Sequence, residues 1–285
     1  QIIISNYYTE SVYLIGMMEQ TLEKKGGRQK GPRGKAKLIY FVDDLNMCML
    51  DPYNTQTAIA LLRQHADYGH WYDVSKLQLV EIVNTQTVAC MNPTAGSFFV
   101  NPRYQRHFWT CAVPFPDQTS LFTIYNTFMV GHFKKFKSTV LEQVQFIIKA
   151  TLALHQSVIA SFRKTAINFH YEFNIRHLAG VFQGLLLAQP NQFQDPEKLV
   201  RLWIHESERI YGDRLVSTEH LTIFKAQIAD LVKKNFSKFN LNRFFSGATP
   251  EAIIFCDFTQ GINNDRFYDQ MPNDKLEAHV GDALK

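Results

Sequence analysis

Two adjacent carboxylates, Asp43 and Asp44, follow a run of apolar residues in the stretch LIYFVDDLNM. In open α/β sheets, ligands bind beyond the carboxyl ends of the strands. At such a strand end the first acid can hold Mg²⁺, directly or through water. The second can orient or deprotonate an attacking water molecule, which is the chemistry of phosphate-anhydride hydrolysis. An Asp pair after a strand also commonly caps a turn, and the pair taken alone favours the turn.

Polar side chains elsewhere strengthen the case for phosphate chemistry. Asn92 ends a second apolar stretch, TVACMN, where its amide could hydrogen-bond a water molecule or a γ-phosphate; an Asn before Pro is otherwise an ordinary turn residue. Arg103 and Arg106, in NPRYQRHF, precede a third apolar stretch. Arginines at such places are usually solvated, but an arginine that acts on a neighbouring site's phosphate would also lie there.

A further arginine lies in the second half of the chain. Arg176 occurs in FNIRHLAGVFQGLL, a helical stretch that is apolar enough to be predicted as largely buried. A buried guanidinium needs an anionic partner. The alternative, an arginine whose stem lies along apolar surface while its head reaches water, is equally consistent with the pattern.

The pattern of apolar residues predicts the elements that position these side chains. Residues 1 to 116 alternate between strand-like and helix-like runs, and such alternation with apolar strands predicts a parallel sheet flanked by helices. From residue 117 onward the pattern is helical, with Asp195 and Pro196 opening the last long helix. The predicted strands are 2–5, 38–42, 76–83, 87–92 and 108–115, the first helices are 9–25 and 55–67, and 26–37 is a loop rich in Gly, Lys and Arg.

Composition excludes several classes of protein. The chain of 285 residues is 46% hydrophobic and 20% charged, which is typical of a globular protein and not of a disordered one. The four cysteines form no CxxC pair, so they suggest neither a zinc site nor a disulfide framework, in keeping with a reducing compartment. No apolar run approaches the ~20 residues that a membrane span requires. The net charge of +4 is too small to indicate nucleic acid by itself.

The chain closely resembles a dynein heavy chain of the axonemal (ciliary) type, and within it the third AAA+ module of the motor ring. The resemblance covers nearly the whole chain. It rests on LEKKGGRQKGPRGKAKLIYFVDDLNM, LLRQHADYGHWYD, VACMNPTAGSF, NPRYQRHF, FNIRHLAGVFQGLL and VRLWIHESERIYGDR.

This resemblance implies a role for each candidate residue. Asp43 takes the place of the Walker B aspartate, which holds Mg²⁺ directly or through water, and Asp44 takes that of the catalytic acid. Asn92 would be sensor 1. The remaining assignments are Arg103 as the arginine finger with Arg106 as the second choice, and Arg176 as sensor 2 of the lid.

Two departures from the family pattern concern the acidic turn. AAA+ hydrolases usually have Glu where this chain has Asp44; a side chain shorter by one methylene withdraws the carboxylate by roughly 1 Å, and misplacement on that scale can cost about a hundredfold in rate. The module is therefore expected to be a slow hydrolase or a nucleotide-occupied regulator. The family also tends to have NMP where this chain has Asn46, Met47 and Cys48, so the turn is expected to differ.

A Walker A loop, GxxxxGK[ST], is missing from the sequence. The stretch GPRGKAK (31–37) contains Gly and Lys, but its spacing is wrong and no Ser or Thr follows the Lys. In the family this loop precedes IIISNYY, so we expect the chain to start just after it. ATP or ADP with Mg²⁺ is then the cofactor of the intact parent, and neither is expected to bind the isolated chain tightly.

The predicted fold is a partial AAA+ module: an α/β subdomain lacking Walker A (1–116), an all-helical lid (117–235) and a connection into the next AAA+ module (236–285). The resemblance implies an ATP-driven microtubule motor of cilia and flagella, located in the cytoplasm, cytoskeleton and axoneme. Its partners would be neighbouring AAA+ modules of the same heavy chain, the microtubule through other regions, and dynein intermediate and light chains. Neither a membrane nor nucleic acid is expected.

Two alternatives remain open at this stage. One is a structural or regulatory ring segment that does not hydrolyse nucleotide. The other is a nucleic-acid-remodelling AAA+ ATPase that uses the basic stretch 24–37 as its contact, with seven Lys or Arg and no acid. That stretch could also contact the acidic surface of tubulin, although a solvated loop is the simpler interpretation.

Overall fold

The computed structural model describes residues 1–93, 99–239, 244, 253–259 and 267–284. They form two compact units, Gln1–Val113 and Pro114–Lys285. The first contains strands and helices, and the second is mainly helical. The predicted fold class, a parallel sheet flanked by helices followed by a helical region, is confirmed.

The first unit is built around two sheets. Its elements are β1 (Ile2–Ile4), α1 (Ser11–Glu19), β2 (Leu22–Gly26), β3 (Gln29–Pro32), β4 (Leu38–Asp43), α2 (Thr57–Tyr68), β5 (His70–Tyr72), β6 (Leu79–Ile82), β7 (Thr85–Ala89) and α3 (Pro102–Gln105). One sheet is parallel, in the order β1-β4-β7. The other has the order β2-β3-β6-β5.

The parallel sheet has one buried and one exposed face. Because side chains alternate along a strand, Ile3, Tyr40 and Val42 point into the core formed with α1 and α2. The Tyr40 hydroxyl donates to the Met18 carbonyl at 3.0 Å, which satisfies its polar end inside that core. The opposite face leaves apolar side chains exposed, namely Ile2, Ile4, Ile39, Phe41 and Val88.

The segment between α1 and β4 differs from the prediction. The helix predicted over 9–25 ends at Glu19, and residues 22–26 form β2 instead. The predicted loop over 26–37 contains β3, which pairs antiparallel with β2 through a turn in which Gly27 has φ +56°. Glycine adopts this conformation at little cost, so the Gly-Gly pair fits a hairpin turn rather than a helix end.

The strand predicted over 108–115 is wrong. None of these residues belongs to a strand, and Trp109, Val113 and Phe115 are almost fully exposed. A strand needs a hydrogen-bonded neighbour, and within the described residues β7 pairs only with β4. An apolar run is thus not sufficient to make a strand here.

The second unit packs helices around one long central helix. Its elements are α4 (Gln118–Phe133), α5 (Ser138–Ser161), α6 (Ile175–Leu185), α7 (Pro196–Ile210), α8 (Thr218–Asn235), β8 (Phe255–Cys256), β9 (Asp269–Gln270) and α9 (Asn273–Ala283). Asp195 caps α7 and Pro196 opens it, as predicted. Among the described residues, no helix is long and apolar enough to cross a membrane.

A buried carboxylate joins three parts of this unit. Glu206, on α7, is fully buried and accepts hydrogen bonds from Arg209 Nε at 2.9 Å and Nη2 at 2.7 Å. The Tyr268 hydroxyl donates to the other carboxylate oxygen, so the β8–β9 region is tied to α7. Helix α6 passes so close that a Cβ on Gly184 would overlap the Glu206 carboxyl group. The carboxylate is therefore held on three sides.

We expect Gly184→Ala and Gly131→Ala to change stability in opposite directions. At Gly131, in α4, a Cβ meets nothing within 4 Å, so alanine should stabilise the helix by about 0.5–1 kcal/mol. At Gly184 it must displace a carboxylate fixed by Arg209 and Tyr268, which should destabilise the protein by about 1–3 kcal/mol. Urea unfolding of both variants measures the difference, and equal shifts would contradict the close α6–α7 contact.

Candidate functional site

The carboxyl ends of the three parallel strands meet at the acidic pair. The Ser5 backbone N–H, just after β1, donates to the Asp43 carbonyl at 3.0 Å. The Cys90 N–H, just after β7, donates to the Val42 carbonyl at 2.9 Å, and the Cys90 carbonyl accepts from Leu45 N at 3.1 Å. These bonds extend the ladder past the last residues of the strands and fix where the chain turns away.

The Asp43 carboxylate is oriented by two donors. Its Oδ1 atom accepts from the Asp44 backbone N–H at 2.9 Å and from the Cys90 thiol at 3.0 Å. Partial burial, together with the hydrogen bond and charge of Asp43, raises the pKa of the Cys90 thiol to about 11. The thiol therefore stays protonated at neutral pH and can donate. The two hydrogen bonds fix the carboxylate at the strand end, which is where a carboxylate that binds Mg²⁺ would have to lie.

Asp44 occupies a left-handed backbone conformation, with φ 53° and ψ 45°. It precedes the short 3-10 turn Leu45–Met47, whose Met47 N–H donates to the Asp44 carbonyl at 3.0 Å. Its side chain caps none of the described backbone of that turn. The turn-capping interpretation thus applies to Asp43, which accepts from a backbone N–H, and not to Asp44.

Asn46, which was not among the candidate residues, links Asn92 to the acidic turn. Asn46, buried within the turn, donates from Nδ2 to the Asn92 carbonyl at 3.0 Å. This bond holds the segment after β7 against the segment after β4, with the Asn92 residue exposed. The structure therefore places the Asn92 backbone beside the turn that follows Asp43 and Asp44.

The backbone at Cys48, where the family tends to have proline, has a conformation that proline could adopt. Cys48 is buried and has φ −63°, the value that a proline ring would impose. Its carbonyl accepts from the buried Gln56 side chain at 2.7 Å. A cysteine therefore occupies a proline-like conformation here, and the NMC sequence does not by itself require a different turn.

The two candidate arginines, Arg103 in α3 and Arg106 directly after it, differ in their contacts. Arg106 donates to Asp67, on α2, at 2.9 Å, and His107 Nε2 lies 2.8 Å from the same carboxylate. The hydrogen bond from Arg106 and the adjacent positive charge lower the pKa of Asp67. Tyr104, nearly fully buried, anchors the helix between them. The exposed Arg103 forms no ion pair with any described residue, so its guanidinium is the one available to a partner.

Arg176 is exposed, so of the two interpretations left open by the sequence the buried guanidinium is wrong. The buried positions of α6 include Leu178, Val181 and Leu185, and residue 176 falls on the opposite side of the helix. It lies in the first turn, where Asn174 caps the helix. A cation is disfavoured at this positive end of the helix dipole, and an anion is favoured there.

The chemistry of the acidic pair fits a magnesium ion bound together with a phosphate. Mg²⁺ is usually held by one or two carboxylates and completes its octahedron with water and phosphate oxygens. Asp43 and Asp44 supply such carboxylates, both partly accessible to solvent. In the described parts of the chain, no group of three or more His, Cys, Asp or Glu side chains could hold a metal ion by itself.

A parallel sheet with acids beyond its central strand, followed by a helical unit, defines the class of AAA+ modules. Family models agree: "P-loop containing dynein motor region" matches residues 1–116, and "AAA+ lid domain" matches residues 147–244. The chain belongs to the dynein heavy chain family.

Similar proteins include named dynein chains. The flagellar outer arm dynein alpha chain of Chlamydomonas reinhardtii is 51% identical over 267 residues, which is 93% of this chain. Mouse (Mus musculus) dynein axonemal heavy chain 17 is 46% identical over 98% of the chain, and the ciliary dynein beta chain of Tripneustes gratilla 44% over 94%. The chain spans 6% of the length of each of these three relatives.

We predict that the backbone at position 44 constrains its side chain. Asp44→Asn should preserve stability, because Asn tolerates the left-handed region, whereas Asp44→Ala and Asp44→Glu should each lose about 1 kcal/mol relative to Asn. Chemical denaturation of the chain measures this order.

The matched control for this prediction is Gln64, within α2 of the same unit. In a helix Ala is favoured over Asn, so Gln64→Ala should be more stable than Gln64→Asn. The same order at both positions would show that position 44 is not left-handed in solution.

Proposed function

We propose that this segment is a nucleotide-binding module, the third AAA+ module, of a ciliary dynein heavy chain that acts as an ATP-driven microtubule motor. The observation that carries the proposal is the Asp43 carboxylate at the strand end, oriented by Asp44 N–H and the Cys90 thiol. The names of the relatives, which are axonemal, flagellar and ciliary dyneins, support the class of motor and its location in the axoneme and cytoskeleton.

Each candidate residue has a proposed role at a Mg²⁺–nucleotide site. Asp43 holds Mg²⁺, directly or through water, and Asp44 orients the attacking water molecule. Asn92 hydrogen-bonds that water or the γ-phosphate. Arg176, at the positive end of α6, keeps the proposed role of sensor 2 in the lid, and Arg103 serves the site of a neighbouring module.

Because residue 44 is Asp and not Glu, we propose that the module hydrolyses nucleotide slowly or serves a regulatory role. The carboxylate of Asp44 is shorter by about 1 Å than that of Glu, and its backbone is held in a conformation that bulkier side chains adopt at a cost. A module of this kind retains nucleotide for long periods and regulates or supports the cycle of the motor. A non-hydrolysing ring segment is therefore the second candidate, favoured by the same residue.

The proposed cofactor is ATP or ADP with Mg²⁺ in the intact heavy chain. The sequence contains no Walker A loop, whose amides and Lys supply most phosphate contacts, so the isolated chain is expected not to bind nucleotide tightly. The proposed partners are neighbouring AAA+ modules, dynein intermediate and light chains, and the microtubule through other regions. Membership of the dynein family lends no support to a nucleic-acid-remodelling ATPase.

Substitution of the acids in the intact heavy chain tests this proposal. Asp43→Ala should weaken Mg²⁺-dependent nucleotide retention at this module. Asp44→Asn should slow hydrolysis and prolong occupancy, whereas Asp44→Glu should speed it by a few-fold to about a hundredfold. Single-turnover hydrolysis, with the other modules' sites inactivated, measures both effects. Unchanged rates in both Asp44 variants would mean that the residue serves only the turn.

Arg103 in α3 and Arg106 directly after it offer a matched pair for testing action on a neighbouring module. Arg103→Ala in the intact heavy chain should reduce the response of the adjacent module by up to about 10³-fold, while nucleotide binding at this module's own site stays nearly intact. Lysine should rescue poorly, because it lacks the planar fork. Arg106→Ala is the control, since it loses only the contact with Asp67. A defect in the neighbour from Arg106→Ala alone would reverse the assignment.

A further inference from the structure

The hairpin of β2 and β3, with the residues that follow as far as Lys37, forms a compact basic surface that we call the basic hairpin (residues 22–37). We propose that it binds an extended, carboxylate-rich polypeptide segment along the outer edge of β2. This inference is independent of the nucleotide site.

The basic hairpin is held to the body of the first unit at several points. Strand β3 pairs with β6 in parallel, and Lys30 forms an ion pair with Glu19, at the end of α1, at 2.9 Å. Gln29 donates to Glu81 at 3.0 Å. Gly31 packs so tightly that a Cβ would lie 3.0 Å from Val83 Cγ2. Lys24, Lys25 and Lys30 are thus displayed from an ordered strand pair, whereas Arg28 lies in its turn and the remaining cations follow β3.

Most of the positive charge of the basic hairpin is uncompensated. Lys25 is paired with Glu23 at 2.7 Å and Lys30 with Glu19. The other five cations are exposed, and none forms an ion pair with a described residue: Lys24, Arg28, Arg33, Lys35 and Lys37. Lys24 stands directly opposite Lys30 across the ladder. Like charges in that position destabilise a hairpin; Lys30 is offset by Glu19, so an added anion would act on Lys24.

Strand β2 lies at the edge of its sheet and, within the described residues, pairs only with β3. Lysines on an edge strand commonly prevent unwanted pairing. Here the uncompensated cations continue beyond the edge into the turn, at Arg28, and past β3. An extended segment added to β2 would satisfy its outer N–H and C=O groups, and carboxylates on that segment would meet Lys24 and Arg28.

Two features favour a polypeptide over a nucleic acid. Residues 22–37 contain no aromatic side chain, so the basic hairpin lacks the stacking platform on which single-stranded nucleic acids are usually bound. Its surface also includes the exposed carboxylate of Glu23, which would repel a phosphate backbone. A polypeptide with spaced carboxylates can pair with the lysines and avoid that acid.

The test uses the 285-residue chain and a fluorescent peptide of about twelve residues, alternating Glu and Thr, which suits an added strand. Anisotropy should show binding that weakens as salt is raised from about 50 to about 200 mM. The double substitution Lys24→Gln/Arg28→Gln should weaken binding by at least about tenfold. The control Lys233→Gln/Lys234→Gln, on exposed residues of α8, removes the same charge and should change nothing.

A second peptide separates strand addition from simple charge attraction. Replacing several Thr by Pro keeps every carboxylate but removes backbone donors, so this peptide should bind at least about tenfold more weakly. Equal binding of the two peptides would overturn strand addition. Tighter binding of a uridine oligonucleotide than of the Glu–Thr peptide would overturn the choice of a polypeptide. Equal affinity of the wild type and the Lys24→Gln/Arg28→Gln variant, or no binding at millimolar peptide, would overturn the site itself.

Discussion

The parallel ladder between β4 and β7 is the constraint on which the candidate chemistry depends. Phe41 pairs with Val88 and Val42 with Ala89, so Asp43 and Cys90 emerge side by side. Backbone bonds continue across the two strand ends, from Cys90 N–H to Val42 and from Leu45 N–H to Cys90. A slip of one residue would turn the side chains to the other face of the sheet. The register therefore fixes both the position and the orientation of the Asp43 carboxylate.

Position 44 combines two demands that pull against each other. Reach toward a water molecule would favour Glu, whereas a backbone with φ 53° favours Asp or Asn. Strained residues persist where the surroundings determine the conformation, and here Asp43 and the 3-10 turn on either side do so. Asp at this position therefore suits the left-handed backbone of the turn and also fits slow hydrolysis. Replacing it with Glu would change both the stability of the turn and the reach of the carboxylate.

The sequence predicted those parts of the molecule that depend on local pattern. The acids at the end of LIYFV and the cap at Asp195 follow from neighbouring residues, and both are found where predicted. Contacts between distant segments were not predictable in the same way. Cys90 was one of four scattered cysteines until the β4–β7 register placed its thiol 3.0 Å from Asp43. Asn46 gave no signal either, because its partner lies 46 residues away.

The wrong predictions have physical causes of the same kind. An apolar segment at 108–115 has strand character, but strand formation requires a partner that the local pattern does not report. The buried alternative for Arg176 rested on the average hydrophobicity of its helix, whereas burial depends on which side of the helix a residue occupies. The Lys-rich β2 looks like the end of a helix until its pairing with β3 is known.

The same limit applies to the C-terminal part of the second unit. Its composition differs from that of the helices, yet Ile253 and Phe255 are buried in the same core as α5 and α7. Lys198 pairs with Asp269 at 2.5 Å, and His205 contacts the Ile253 carbonyl at 3.0 Å. A buried charge such as that of Glu206 is costly unless all its partners are present. Since one partner, Tyr268, comes from this part, the helices and the segment after them stabilise each other. A displacement of either would remove a hydrogen bond from the buried carboxylate of Glu206.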